Sequence, residues 1–331
     1  MASIVEVAAR AGVSRQTVSN VLNAPERVRP ETRSRVQEAI EALGYHPNRT
    51  ARNLRSQRAH LLALDLAPTG PHEVSPVLDR FVHALSEVAA EHGFHLLIFP
   101  RTDDPVTSHL PLADTRTVDG FVLVDTERDD HRVKVLADRQ VPFVTFGRTG
   151  GEPAHDAVDV DGVRGGQLVA EHLVADGCRR IGFVGWPEGS LAGDDRYAGF
   201  MTGWVDGGRE HSDVALVRCL NVVEDGVRAV AELAARPGGL PDAIVTVSDL
   251  LAVGVMRGLR ARGLREGHDV RVVGYDDAPI SAHLEFPLTT VRQPLDEVAR
   301  RVLARLLARL DDPHGPAVTE LVEPQLVVRS T

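Results

Sequence analysis

Between Ser14 and Asn23 the polar residues Arg15, Gln16, Thr17, Ser19 and Asn20 alternate with the apolar Val18, Val21 and Leu22. The apolar three recur at i, i+3 and i+4, so a helix buries them on one stripe and leaves the polar five outside. Those side chains suit the edges of a DNA groove. Arginine forks onto guanine O6 and N7, glutamine and asparagine pair with adenine, and hydroxyls reach phosphate. The same face would also clothe the solvated side of an ordinary small helical domain. Charge favours the first reading. Residues 1–60 hold 10 arginines against 5 glutamates, whereas the rest hold 27 basic against 42 acidic residues. A chain of net charge −10 that gathers cations at one end presents that end to a polyanion.

The other reactive residues form no catalytic pattern. The 14 histidines show no metal-ligand spacing, and no G-x-S-x-G, Walker loop or G-x-G-x-x-G after the first strand appears. Asp276 and Asp277 imitate a carboxylate dyad, but neighbours at a strand end point to opposite sides. Cys178 and Cys219 lie beside strand-like runs and read as reduced core residues rather than a disulfide or metal pair. The chain is read as a non-enzyme without cofactor or metal.

Short helices must position the first group. Ser3-Ile4-Val5-Glu6 has the capping-box form, Ala11-Gly12 stops that helix, and Ser14 caps the next. A third helix is expected from about Pro30 to Leu43, with Val36, Ala39, Ile40 and Leu43 inward. Past a linker at 56–60, apolar runs of four to eight residues alternate with helical patterns. Strands are expected at 60–66, 94–99, 119–124, 141–146, 180–185, 214–219, 243–247 and 269–275, with a final edge strand at 322–330. Helices are expected at 75–91, 130–139, 161–175, 195–205, 224–235, 250–262 and 295–310. This alternation means doubly wound parallel sheets in two α/β lobes, about 60–160 and about 161–290, with 290–320 crossing back and the last strand joining the second lobe.

The chain, 331 residues long, has room for two or three domains. No run of 18 apolar residues appears, so no membrane helix is expected, and the N-terminus lacks an apolar export signal. A cytoplasmic, nucleoid-associated protein is the expectation.

The run Ile4 to Asn23 and the run Leu43-Gly44-Tyr45-His46-Pro47-Asn48-Arg49-Thr50-Ala51-Arg52-Asn53-Leu54-Arg55 closely resemble the N-terminus of the LacI/GalR (lac repressor) family of bacterial transcription regulators. Later stretches resemble it too: Asp195-Arg196-Tyr197-Ala198-Gly199-Phe200, Ser248-Asp249-Leu250-Leu251-Ala252-Val253-Gly254, Val272-Val273-Gly274-Tyr275-Asp276-Asp277 and Leu288-Thr289-Thr290-Val291-Arg292-Gln293. The resemblance implies a helix-turn-helix domain at 1–46, a hinge helix and linker at 47–59, and a two-lobed periplasmic-binding-protein-like effector and dimerisation domain at 60–331. It implies that Arg15, Gln16 and Asn20 read bases, while Ser14, Thr17, Ser19 and Asn23 make phosphate or positioning contacts. Asn48 falls on the hinge, Ala51 where two hinge helices pack, and Leu54 where a leucine wedges into the central minor-groove step. Arg29 stands where a capping serine is usual, which weakens that cap but leaves a phosphate within its reach.

In such sheets ligands lie beyond the carboxyl ends of strands, here between two lobes. The family positions match Arg196, Ser248, Asp276 and Gln293 as effector-holding residues, with Ser248 replacing the usual asparagine. Arg196 donors and Asp276 acceptors suit adjacent hydroxyls. Trp186 either stacks on a sugar ring or packs. Arg148 is a ligand fork or a lobe-to-lobe ion pair, and Asp249 a helix N-cap or a ligand contact. The expected whole is a dimeric repressor on an inverted-repeat operator in double-stranded DNA, released by a small sugar, with no membrane partner. No heptad tail for a tetramer follows Arg329-Ser330. A purine or sugar-phosphate co-repressor is the alternative, to be written in Pro68 to His72. A solute-binding protein for transport fits the two lobes but not the N-terminal helices.

Overall fold

The computed structural model describes residues 2–45, 58–68 and 75–331, and of Asn23 the backbone alone. Asn48, Ala51, Leu54 and most of Pro68 to His72 lie outside the described residues. The chain divides into two compact units, Met1–Ala59 and His60–Thr331.

In the first unit α1 (Ile4–Ala11) opens on the capping box. Glu6 N–H donates to Ser3 Oγ at 3.3 Å, and Ser3 N–H donates to the Glu6 carboxylate at 2.7 Å. Gly12 closes the helix at φ 63°, a conformation that glycine adopts without a Cβ clash. In α2 (Arg15–Asn23) the Ser14 hydroxyl accepts from Thr17 N–H at 3.1 Å. Helix α3 (Pro30–Leu43) has no side-chain cap at Arg29, as its residue type implies. Val7, Val18 and Val36 meet at the centre of these helices with no exposed surface.

The second unit contains two lobes. The first is built from β1 (Leu61–Leu66), α4 (Pro76–Glu91), β2 (His95–Pro100), α5 (Pro105–Ser108), α6 (Leu110–Asp114), β3 (Gly120–Leu123), α7 (His131–Asp138), β4 (Phe143–Phe146) and β5 (Ala157–Val160). The second takes α8 (Gly162–Ala175), β6 (Ile181–Gly185), α9 (Leu191–Asp206), β7 (Val214–Arg218), α10 (Val223–Ala235), β8 (Ala243–Thr246), α11 (Asp249–Arg260), β9 (Arg271–Asp276) and β10 (Thr289–Arg292). The chain then returns through α12 (Leu295–Asp311) and β11 (Thr319–Val322) to the first lobe, and through β12 (Gln325–Val327) to the second. The sheet orders are β11-β5-β4-β3-β1-β2 and β12-β10-β9-β8-β6-β7. Neighbouring strands run parallel except β12, which is antiparallel to β10. Helix α12 closes the first core, where Val298, Val302 and Leu306 meet Leu62, Leu64 and Phe81.

Three expectations are corrected. The single last strand at 322–330 is two strands in different sheets: Val322 ends β11, and β12 begins at Gln325. Pro324 lies between them and has no N–H for a ladder, so the break falls there. Helix α9 begins at Leu191, four residues before Asp195, because the Ser190 hydroxyl accepts from Gly193 N–H. Strands β5, β10 and β11 were not expected. Polar residues interrupt each of them, Asp159 in β5, Thr289, Thr290 and Arg292 in β10, and Thr319 and Glu320 in β11, so none offers the apolar run that marks the other strands.

Candidate functional site

On the first unit, α2 keeps its apolar stripe inside and leaves Arg15 and Gln16 exposed. The Gln16 amide donates to Asn20 Oδ1 at 3.0 Å, one turn on, and the Ser14 and Thr17 hydroxyls lie 2.9 Å apart. Ser19 is half-buried, and Arg29 is exposed. Two pairs of the polar side chains singled out are thus linked across a turn of α2, whose Val18 packs against Val7 and Val36 of the other helices.

On the second unit a cavity of about 390 Å³ lies between the lobes, at the carboxyl ends of both sheets. Arg196, on α9, forms part of its polar wall. Its guanidinium donates to the Val247 carbonyl and sits 3.7 Å from the Tyr275 ring centroid and 5.0 Å from that of Trp186. Two aromatic faces thus stabilise a buried cation. Asp276 Oδ1 lies 3.9 Å from Arg196 and accepts from Gln293 Nε2 at 2.7 Å. Asp277, its neighbour, turns the other way and binds Arg292 and Arg329, each at 2.6 Å. The pair is no dyad.

Arg148 makes the lobe-to-lobe ion pair that was one of its two alternatives. It lines the cavity, and it pairs with Asp159 of the first lobe at 3.1 Å and with Asp195 of the second. Trp186 lines the cavity and packs on Arg196, and its buried Nε1 has no partner among the described residues. Ser248 differs from its expected place. Its hydroxyl caps α11, accepting from Leu251 N–H at 3.2 Å, and donates to Asn221 Oδ1, so Asn221 lines the cavity there. Asp249 is therefore not the N-cap. It sits inside the first turn, and its carboxylate accepts from Ala278 N–H at 2.8 Å and from the Ser281 and Thr290 hydroxyls, each at 2.6 Å.

Enclosure by protein raises the pKa values of both Asp276 and Asp249 well above the usual carboxylate range. Arg196 opposes the rise at Asp276, and the Ser281 and Thr290 hydroxyls oppose it at Asp249. The folded state therefore favours their protonated forms. That contribution to stability is present below the ordinary carboxylate pKa of about 4 and is lost as pH rises through the elevated folded value. Asp276→Asn is expected to gain stability relative to the unmodified chain between about pH 4 and neutrality, as urea unfolding at several pH values would show. A difference that does not change with pH would contradict this.

Sequence reasoning missed the end of β3. Val124, Asp125 and Thr126 line the cavity. Arg101 and Arg132 both donate to the Val124 carbonyl, at 2.6 and 3.0 Å, and both anchor on the fully buried Asp65, at 2.8 and 2.9 Å. Asn221, after β7, was missed likewise. The rule that identified Gly147-Arg148 and Ser248-Asp249, inspection of residues just past a strand, covers both.

Residues 3–48 match the family model described as bacterial regulatory proteins, lacI family, and residues 170–331 match that of a periplasmic binding protein-like domain. The chain is 34% identical to the HTH-type transcriptional regulator CelR of Thermobifida fusca, over 98% of this chain and 96% of that one. It is similar to the solved transcriptional regulator CelR–cellobiose complex, with 32% identity and a TM-score of 0.74 over 100% and 99% of the two chains. It is also similar to the lac repressor dimer bound to operator and the anti-inducer ONPF, with 26% identity and a TM-score of 0.83 over 100% and 98%. Helical N-terminal unit, two-lobed cavity and these likenesses agree: the chain belongs to the lacI family of bacterial regulatory proteins and is a DNA-binding transcriptional regulator.

Proposed function

We propose that this regulator is a dimeric, cytoplasmic repressor that leaves an inverted-repeat operator when a small neutral sugar fills the cavity. One observation carries the effector class. Among the described residues the cations that line the cavity are already engaged, Arg148 by Asp159 and Asp195, and Arg196 by the Val247 carbonyl, the Tyr275 and Trp186 rings and Asp276. No unengaged cation among the described residues awaits a phosphate there. Apolar walls at Phe146, Val124 and Trp186 beside fixed donors and acceptors suit a ring with hydroxyl edges. The likeness to a cellobiose complex supports the same class, and that to an operator-bound dimer supports the assembly.

The mechanism is a population shift. Residues 1–46 bind DNA, 47–59 form the hinge, and 60–331 sense the effector. A sugar held by Arg196, Asp276, Gln293 and the Arg148 cluster favours one setting of the lobes. The Arg148–Asp195 pair joins the lobes, so it is the contact that a change of setting must rearrange. On DNA, Arg15, Gln16 and Asn20 read base edges, while Ser14, Thr17, Ser19, Asn23 and Arg29 position the helix on phosphates. Arg15→Ala and Gln16→Ala are each expected to relax base preference at one or two operator positions, at about 1–3 kcal/mol of discrimination per lost contact. Selection from randomised duplexes reads this directly. An unchanged preference refutes base reading by those residues.

A further inference from the structure

The residue just past β3 has a role that none of the assignments above gives it, and the argument rests on the saccharide reading. Asp125 holds a left-handed backbone conformation, φ 47°, which aspartate tolerates better than most residues but which still needs holding. Its carbonyl accepts from Arg101 at 3.4 Å and from Arg132 at 3.3 Å. Both arginines are fixed on Asp65, and Arg132 also on Asp130 at 2.7 Å. Four charged side chains are thus spent on one turn of backbone that lines the cavity.

The Asp125 carboxylate makes none of the hydrogen bonds or ion pairs among the described residues. It is open to solvent, yet enclosure by protein raises its pKa against the pull of Arg101 and Arg132. Open to water and surrounded by protein is the condition of a group that faces the lumen of a cavity. We propose that Asp125 is the first lobe's effector-binding acceptor, taking hydroxyl donors of a neutral saccharide whose other edge is held by Asp276 on the second lobe. The Asp125 carboxylate repels phosphate and carboxylate groups, and an acidic side chain on each lobe offers acceptor oxygens to hydroxyl donors at both ends of the ligand. Such a ligand binds well only when both lobes reach it, which ties occupancy to the setting of the lobes.

The test uses the full chain and its Asp125→Asn variant on a fluorescent operator, titrated with glucose, maltose, cellobiose and glucose 6-phosphate. Asparagine tolerates the left-handed backbone, and thermal unfolding of both proteins verifies the fold. The expected result is release of the unmodified chain by a neutral sugar and not by the phosphate. The variant then needs about ten- to a hundredfold more of that sugar, the loss expected for a hydrogen bond to a charged group. Equal midpoints in the two proteins overturn the Asp125 assignment and leave the saccharide reading standing. Failure of every neutral sugar to release the unmodified chain overturns the saccharide reading and this assignment with it.

Discussion

Arg196→Met is expected to abolish effector-driven release of DNA while leaving a folded protein. The guanidinium lies between the Tyr275 and Trp186 rings, donates to the Val247 carbonyl and faces Asp276. Methionine retains the apolar stem and its contact with the rings but supplies no donor and no charge. Loss of a charged hydrogen bond to the ligand, with that of the cation's preorganised fork, weakens effector binding by roughly a hundredfold or more. The Val247 carbonyl loses its donor too, at a cost to stability of about 1–3 kcal/mol. Asp276 keeps Gln293 as a partner and is already inclined to hold a proton, so the variant is not left with an unmatched buried charge. Calorimetric titration with the releasing sugar gives the first quantity and urea unfolding the second. Effector affinity within threefold of the original would remove Arg196 from the ligand's contacts.

Gly199→Ala is expected to be strongly destabilising in the effector unit. A Cβ at Gly199 would stand 2.0 Å from the Val163 carbonyl oxygen, and one at Gly166 would stand 2.2 Å from that of Arg196. Helices α8 and α9 touch backbone to backbone there, so no rotamer change relieves the clash. The helices must separate, at a cost of about 3 kcal/mol or more. Because α9 also carries Asp195 and Arg196, the cavity wall moves with it. Gly185→Ala is the control: its Cβ would meet nothing nearer than 3.6 Å, and it should cost less than about 1 kcal/mol. Equal unfolding midpoints for the two variants would show that the helix pair relaxes freely.

Most of the architecture was legible because it rests on local chemistry. Ser3, Gly12, Ser14 and Pro30 set helix ends through caps and backbone limits that act within a few residues, and the structure places those ends accordingly. The long apolar runs at 61–66 and 181–185 read as strands for the same reason. What was not legible depends on distant partners. Four-residue strands such as Ala157–Val160 exist because neighbours on the sheet receive them. Asn221 lines the cavity with its side chain bound to Ser248, 27 residues on. The Asp65–Arg101–Arg132 cluster joins β1, the residue after β2 and the first turn of α7, which no spacing in the sequence connects. The ion pair of Arg148 depends in the same way on two aspartates from different lobes that converge on it.

The central claim is that filling the cavity with a neutral sugar loosens the hold on DNA. Fluorescence anisotropy of the full chain on an operator selected from randomised duplexes measures it most directly, at fixed salt, titrated with mono- and disaccharides, sugar phosphates and purines. The account predicts that a neutral sugar lowers operator affinity in proportion to its occupancy of the cavity. Tightening of the complex by a purine or a sugar phosphate, with no sugar causing release, would contradict it and make the regulator co-repressed.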